Sequence, residues 1–406
     1  MEEAQRQEGS AEVTLTTPGF VGRRLTEARR ARGISATDLA GLVGVSIQSI
    51  SKYENEHQTP RLDVLHAMAA ALKMPHSYFF RPLEEEDAAP IYWRSRLSAP
   101  PVMRERAAVR LEWMKELVDY IASYFELMPL NVPQIDRPLD SFDAIEQTAT
   151  AIRAHWGIRP GPMPDVLEKL ENNGILVSRI HVGAEKLDAF SQWSTKFGVP
   201  FVMLSRDKAS AVRQRFDALH ELSHIISHRN VTSKRMNDRA VYKDVERQAD
   251  RLACALLLPA KEFLDELYAP SLDGFVALKE RWGVSVGAMI MRAQALDLLD
   301  EDEVRRMWIN YNRRGWREHG EPLDKKLVKE SPYMIRRSIE MLISEGVQSA
   351  AEIMTALPFP ASDLEELADL EPGTLSGQTE TRAEPVLKAQ FRNEQSNVID
   401  FKKKGS

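Results

Sequence analysis

Cysteine is nearly absent from this chain. The single one, Cys254, excludes an internal disulfide framework and any zinc site built from several thiolates. Long apolar runs are missing too: LACALLL at 252–258 is far too short to span a bilayer. The polar, acidic start MEEAQRQEGSAEVTLTTP does not read as a secretory signal. There is no overall excess of basic charge. Lys and Arg number 54 against 60 Asp and Glu, so a net −6 does not mark the whole chain as a nucleic-acid binder. No internal repeat spans the sequence. These absences lead us to expect a reducing, cytoplasmic location. What remains is ordinary for a globular protein: 406 residues, 43% hydrophobic and 28% charged. At about 150 residues per domain, two to three domains are expected.

The charge is uneven. Residues 19–82 hold nine basic residues and five acidic ones, a net +4 that leaves −10 for the rest. DNA contact is therefore sought at this end. Within GISATDLAGLVGVSIQSISKYENEHQTPRLDVLHAMAAAL, apolar residues recur at helical spacing, and Gly44 followed by Ser46 marks a turn and a helix cap. Ile50 on the inner face turns Gln48, Ser49 and Lys52 outward. A glutamine there can bond an adenine edge in the major groove, while Lys52 and Arg61 suit phosphates. The segment resembles the XRE/Cro family of helix-turn-helix domains over about 60 residues. It departs from that family at Ala36, where glutamine is usual, and at Glu56, where glycine is common. A helical docking or dimerisation module is the competing reading. The two-fold operators such modules read imply a homodimer on double-stranded DNA.

Residues 220–224 read His-Glu-Leu-Ser-His. On a helix, His220 and His224 share a face and can reach one metal, and Glu221 beside them can take a proton from water. The flanking Phe216, Leu219, Ile225 and Ile226 make the helix apolar enough to be buried, where unliganded histidines would be costly. Glu246, in VERQADRLACALLLP, is the candidate third ligand. Asp250, one turn on, can accept a hydrogen bond from the far nitrogen of a ligand histidine. This HExxH and ExxxD arrangement resembles gluzincin metallopeptidases.

More closely, RFDALHELSHIISH followed by ERQADRLACALLLPAKEF resembles the ImmA/IrrE family over about 150–300. The resemblance implies Zn2+ on His220, His224 and Glu246, with Glu221 as general base. It implies that the strand LDAFSQW is an edge on which a peptide substrate lies. It also implies that 279–299 is a small helix-turn-helix-like subdomain. Family members of known role cleave helix-turn-helix repressors in mobile elements and DNA-damage responses.

Two further residues are weaker candidates. His228 would close the site as a fourth ligand, so a place behind His224 or at the surface is the expected reading. Tyr242 is a candidate to polarise a scissile carbonyl, or a packing residue on a loop. Cys254 is expected in the core. Arg305, Arg306, Arg313, Arg314 and Arg317 interleave with Trp308, Tyr311 and Trp316. That pattern suits either packing or single-stranded DNA acting as an activator.

The expected fold is multidomain α+β: an all-α helix-turn-helix domain, then a zincin-like α+β metallopeptidase domain with helical accessory regions. The expected boundaries are a disordered leader at 1–18 and the helix-turn-helix domain at 19–82. A linker and long amphipathic helix follow at 83–140, then the metallopeptidase domain at 141–300, a helical module at 301–370 and a disordered tail at 371–406. The expected function is a DNA-binding regulator with a fused zinc endopeptidase that cleaves a helix-turn-helix repressor, in cis or in trans, under stress or DNA damage. The residues leave an alternative open. In it the chain is a non-proteolytic repressor or antitoxin, and its zinc domain senses a ligand or docks a partner.

Overall fold

A computed structural model describes residues 17–377, apart from 84–86, 88, 94–98, 136, 184–186, 208–209, 230, 232 and 237. Most of the expected leader and tail lies outside the described residues. The N-terminal unit is built from α1 (Gly22–Ala31), α2 (Ala36–Val43), α3 (Ile47–Glu54) and α4 (Leu62–Leu72). Local chemistry sets these helices. Ser35 and Asp38 form a reciprocal capping box at the start of α2, and Gly44 leaves that helix with φ 75°. Ser46 then accepts the Ser49 N–H to start α3. Leu25, Leu39, Ile50, Leu65 and Phe79 fill the centre. Glu56 adopts φ 58°, which accounts for glycine being common there, and its carboxylate accepts the Gly22 N–H at 2.9 Å. Gly22 is itself required, since a Cβ would sit 2.2 Å from the Tyr53 carbonyl oxygen.

The rest of the chain is a small mixed sheet with many helices, so the whole is a multidomain α+β protein. In order come β1 (Ile91–Trp93), α5 (Pro101–Ala122), α6 (Phe142–His155), α7 (Val166–Glu171), β2 (Leu176–Ile180), β3 (Ala189–Trp193) and β4 (Pro200–Ser205). Next are α8 (Ala211–Ser227), α9 (Ser233–Met236), α10 (Arg239–Leu257), α11 (Ala260–Glu266), α12 (Leu272–Trp282) and α13 (Val286–Ala295). The C-terminal helices are α14 (Glu301–Arg313), α15 (Trp316–His319), α16 (Met334–Ser344), α17 (Ala350–Ala356) and α18 (Ala361–Leu367). The sheet order is β1-β3-β4-β2, with β2 and β4 parallel and the other pairs antiparallel.

The sheet divides two cores by strict alternation. Val177, Ala189, Val202 and Leu204 face a core shared with α6, α8 and α10. Phe190, Phe201, Met203 and Ile180 face a second core shared with α5, the N-terminal helices and α16–α18. Buried ion pairs fasten that second junction. Arg24 of α1 meets Glu116 of α5 at 2.7 Å, and Arg32 meets Asp363 of α18 at 2.7 Å.

Two features differ from the sequence reading. The segment read as a connector after residue 83 supplies a strand, β1. In consequence β3 is an inner strand with a neighbour on each side, where a free edge was expected. Residues 371–375 also close against the protein. Glu365 accepts the N–H groups of Gly373 and Leu375, and Leu375 is buried. Their Pro- and Gly-rich composition carried no sign of that carboxylate.

Candidate metal centre

α8 and α10 pack side by side, and each presents candidate metal ligands from one face. His220 and His224 sit one turn apart on α8, their Nε2 atoms 3.0 Å from each other. Glu246 reaches over from α10, with Oε1 3.3 Å from His224 Nε2 and Oε2 3.6 Å from His220 Nε2. The ligand atoms of all three lie within 4.8 Å of one another. Two imidazole nitrogens and a carboxylate converging this closely fit a Zn2+ ion. Burial pushes Glu246 up, but the facing imidazoles of His220 and His224 outweigh it and hold the carboxyl at about 2. The group is therefore an anion beside two imidazoles, the protonation a metal needs.

Glu221 is fully buried next to this trio. Its Oε2 accepts a hydrogen bond from Ser191 Oγ of β3 at 2.6 Å, while Oε1 has no hydrogen-bond partner. Burial pushes the carboxyl up, against His224, His220 and Ser191, which pull it down. One oxygen is thus fixed by a hydrogen bond and the other is not.

The far sides of the imidazoles are also held. His220 Nδ1 lies 2.9 Å from Asp250 Oδ1. His224 Nδ1 lies 3.0 Å from Nδ1 of His228, and His228 Nε2 lies 3.1 Å from Gln248 Oε1. Burial, then the neighbouring His224, push His228 down to about 3, so it is neutral. His228 thus stands behind His224 and away from the ligand trio. Tyr242 lies within α10, a helix where a loop was expected. It is buried, and its hydroxyl is 3.4 Å from the Trp93 carbonyl oxygen. Tyr92 of β1 stacks on His224, with ring centroids 5.6 Å apart and planes at 10°. A large cleft is lined in part by Asp188, Asp217, Tyr242, Glu246 and Asp250.

Sequence reasoning missed Ser191, Tyr92 and Gln248. The alternation of LDAFSQW did carry one signal, since it put Ser191 on the same face as Ala189. Cys254 is buried, and burial lifts its thiol to about 12, consistent with a packing role.

On the N-terminal unit, Gln48 and Lys52 are exposed one turn apart on α3. Ser49 is half-buried, with its hydroxyl 2.9 Å from that of Ser46. Arg61 is exposed at the start of α4, 3.4 Å from Asp63. At the C-terminal side, Trp308, Tyr311 and Trp316 meet edge to face and pack on the metal centre's core. The Tyr311 hydroxyl donates to Glu321 at 2.9 Å, and Arg314 pairs with Asp273 at 2.6 Å.

No helix of the described residues is long and apolar enough to cross a membrane. Residues 25–79 match the helix-turn-helix family HTH_3, and residues 170–294 match Peptidase_M78, the IrrE N-terminal-like domain. The chain is also similar to an uncharacterized transcriptional regulator in the ATPase CF(0) region of Rhodospirillum rubrum. The two are 39% identical over 67 residues, 16% of this chain and 62% of that relative's length.

Proposed function

We propose that this chain, which joins a helix-turn-helix domain to a Peptidase_M78 domain, is a DNA-bound regulator that works as a zinc endopeptidase. The observation that carries the reading is the convergence of His220, His224 and Glu246 beside a buried Glu221 with one unpaired oxygen. A Zn2+ held by that trio would supply Lewis acidity toward a peptide carbonyl and lower the pKa of a ligated water. Glu221 Oε1 is the atom that receives the proton, and Ser191 keeps the carboxylate turned toward it. Asp250, and His228 with Gln248, orient His220 and His224 from behind.

The helix-turn-helix unit supports binding to double-stranded DNA as a homodimer through Gln48, Ser49, Lys52 and Arg61. The substrate class that fits such a fusion is a helix-turn-helix repressor, in cis or in trans. Tethering at the operator raises the effective concentration of a target bound beside it.

The test compares zinc-loaded wild type with Glu221→Gln by intact mass over time. Each is followed alone and mixed with helix-turn-helix proteins encoded beside it, with and without single-stranded DNA. Fragments that depend on Glu221 support the peptidase. Persistent intact mass with stoichiometric zinc moves the reading to a repressor or antitoxin whose metal domain senses or docks.

A further inference from the structure

An extended peptide gains backbone hydrogen bonds only along an unpaired strand edge. The strand next to the metal centre is β3, which contributes Ser191. One side of β3 is taken by β4. The other is taken by β1, antiparallel, with Ile91 opposite Gln192, Tyr92 opposite Ser191 and Trp93 opposite Phe190. Residues directly opposite share a face, so Tyr92 points with Ser191 toward α8, while Ile91 and Trp93 point to the other core.

Tyr92 is held in place from several sides. Its ring lies flat on His224, and its hydroxyl donates to the carbonyl oxygens of His228 at 2.8 Å and Val231 at 3.2 Å. It shares a small apolar cluster with Met236, Tyr242 and Val245. Trp93 stacks on Phe190 with centroids 4.8 Å apart, and its carbonyl faces Tyr242. The consequence is lopsided access. The side chains of Glu246 and Asp250, which line the cleft, are 18% and 53% exposed, whereas His224, on which Tyr92 stacks, and Glu221 are fully buried.

We propose that β1 is a resident pseudosubstrate. It fills the strand edge that an extended peptide uses to reach the metal centre, and a peptide binds only after β1 leaves. The proposal rests on the peptidase reading and names the substrate class within it: an unfolded, extended segment carrying an aromatic residue in the place of Tyr92. β1 is short, three residues, so its release is a local opening that costs far less than unfolding. Because the occupant is tethered, it competes at an effective concentration on the order of millimolar.

The experiment uses the full-length, zinc-loaded chain and a fluorescein-labelled peptide copying residues 87–99, with binding read by anisotropy and zinc by mass spectrometry. Wild type is compared with Tyr92→Phe, which keeps the stack and loses two hydrogen bonds, and with Tyr92→Ala. Expected affinity rises from wild type through Tyr92→Phe to Tyr92→Ala, at least tenfold in all, with zinc retained. The same peptide carrying alanine for its tyrosine loses the gain. Equal affinities across the series overturn the proposal.

A lock decides the matter if Tyr92→Ala does not fold. Ile91→Cys with Gln192→Cys, placed in the Tyr92→Phe background, joins directly opposed positions, whose Cα spacing of about 5 Å suits a disulfide. Oxidation abolishes peptide binding and reduction restores it if β1 must leave. Unchanged binding in the oxidised form overturns the proposal. Binding is read without turnover, so the two readings fail separately. Tight binding with no fragments removes the peptidase and leaves β1 as a competitor. Fragments formed equally fast with the lock open and closed do the reverse.

Discussion

Ser191 Oγ stands 2.6 Å from Glu221 Oε2 and ties a strand of the sheet to the helix that carries both histidines. A hydrogen bond to a charged group is worth about 1.5–3 kcal/mol, or roughly ten- to a hundredfold in rate. Ser191→Ala is therefore expected to lower kcat by that factor with zinc content and KM little changed. Ser191→Thr, which keeps the hydroxyl, should recover part of it. Equal kcat in Ser191→Ala and wild type would remove Ser191 from the positioning of Glu221.

The ligand trio makes a prediction that needs no turnover. His220→Ala, His224→Ala and Glu246→Gln should each lose stoichiometric zinc, whereas Glu221→Gln keeps it. Asp250→Asn weakens the support of His220 and should lower zinc affinity about ten- to a hundredfold. Competition with a zinc chelator measures all five. Zinc retained in full by the Glu246→Gln chain would mean the third ligand lies elsewhere.

Arg24 and Glu116 are 1% and 6% exposed, and Arg24 also donates to the carbonyl oxygens of Arg81 and Pro82. Removing the carboxylate charge leaves the buried guanidinium with Glu27 alone as its carboxylate partner, at 2.9 Å, which costs about 1–3 kcal/mol. Glu116→Gln should lower the urea midpoint accordingly. A shift under about 0.5 kcal/mol would show that this contact does not hold the helix-turn-helix unit on α5.

Glu171 ends α7 and accepts the N–H groups of Tyr333 and Met334 at 2.7 and 3.2 Å. Burial lifts it from 4.5 to about 7, against those backbone bonds. With the folded value above the unfolded one, its contribution to stability is complete below pH 4.5 and declines as pH rises through about 7. Chemical denaturation of wild type and Glu171→Gln across this range checks the sign. The stability difference, wild type minus variant, should shrink toward pH 7 and then level off. A difference that grows would reverse the assignment.

On the proposed reading, DNA recognition divides between Gln48 and Lys52. On an operator selected from a random pool, Gln48→Ala should relax preference at one base pair by about 1–3 kcal/mol. Lys52→Ala should weaken all sequences alike and reduce the salt slope by about one. Identical salt slopes for wild type and Lys52→Ala would remove Lys52 from the phosphate contacts.

Much of this molecule can be read from its residues. The four-residue spacings His220–His224 and Glu246–Asp250 announce two helices whose faces carry chemistry, because the helix period places i and i+4 together. The alternation in 187–194 and the apolar run in 199–205 announce β3 and β4. Other features leave no periodic trace. β1 is three residues long, too short for alternation to stand out beside a proline and an acidic run. Ser191 is one hydroxyl in an apolar strand, and its role depends on a helix thirty residues on. The ion pair between Arg32 and Asp363 spans 331 residues, and neither sequence neighbourhood specifies the other. Local period is written locally, whereas the meeting of distant faces is decided by burial over the whole chain.

The helix-turn-helix unit, α5, α16–α18 and one face of the sheet all contribute to one hydrophobic core. Scission of a peptide bond removes a covalent link and leaves that buried surface in place. A chain nicked between Pro82 and Pro101 would persist as two complementing fragments, with the helix-turn-helix unit still seated on α5. If the proposed function holds, letting go of an operator becomes a matter of how fast fragments part: cutting would start that clock, and the strength of the shared core would set its rate.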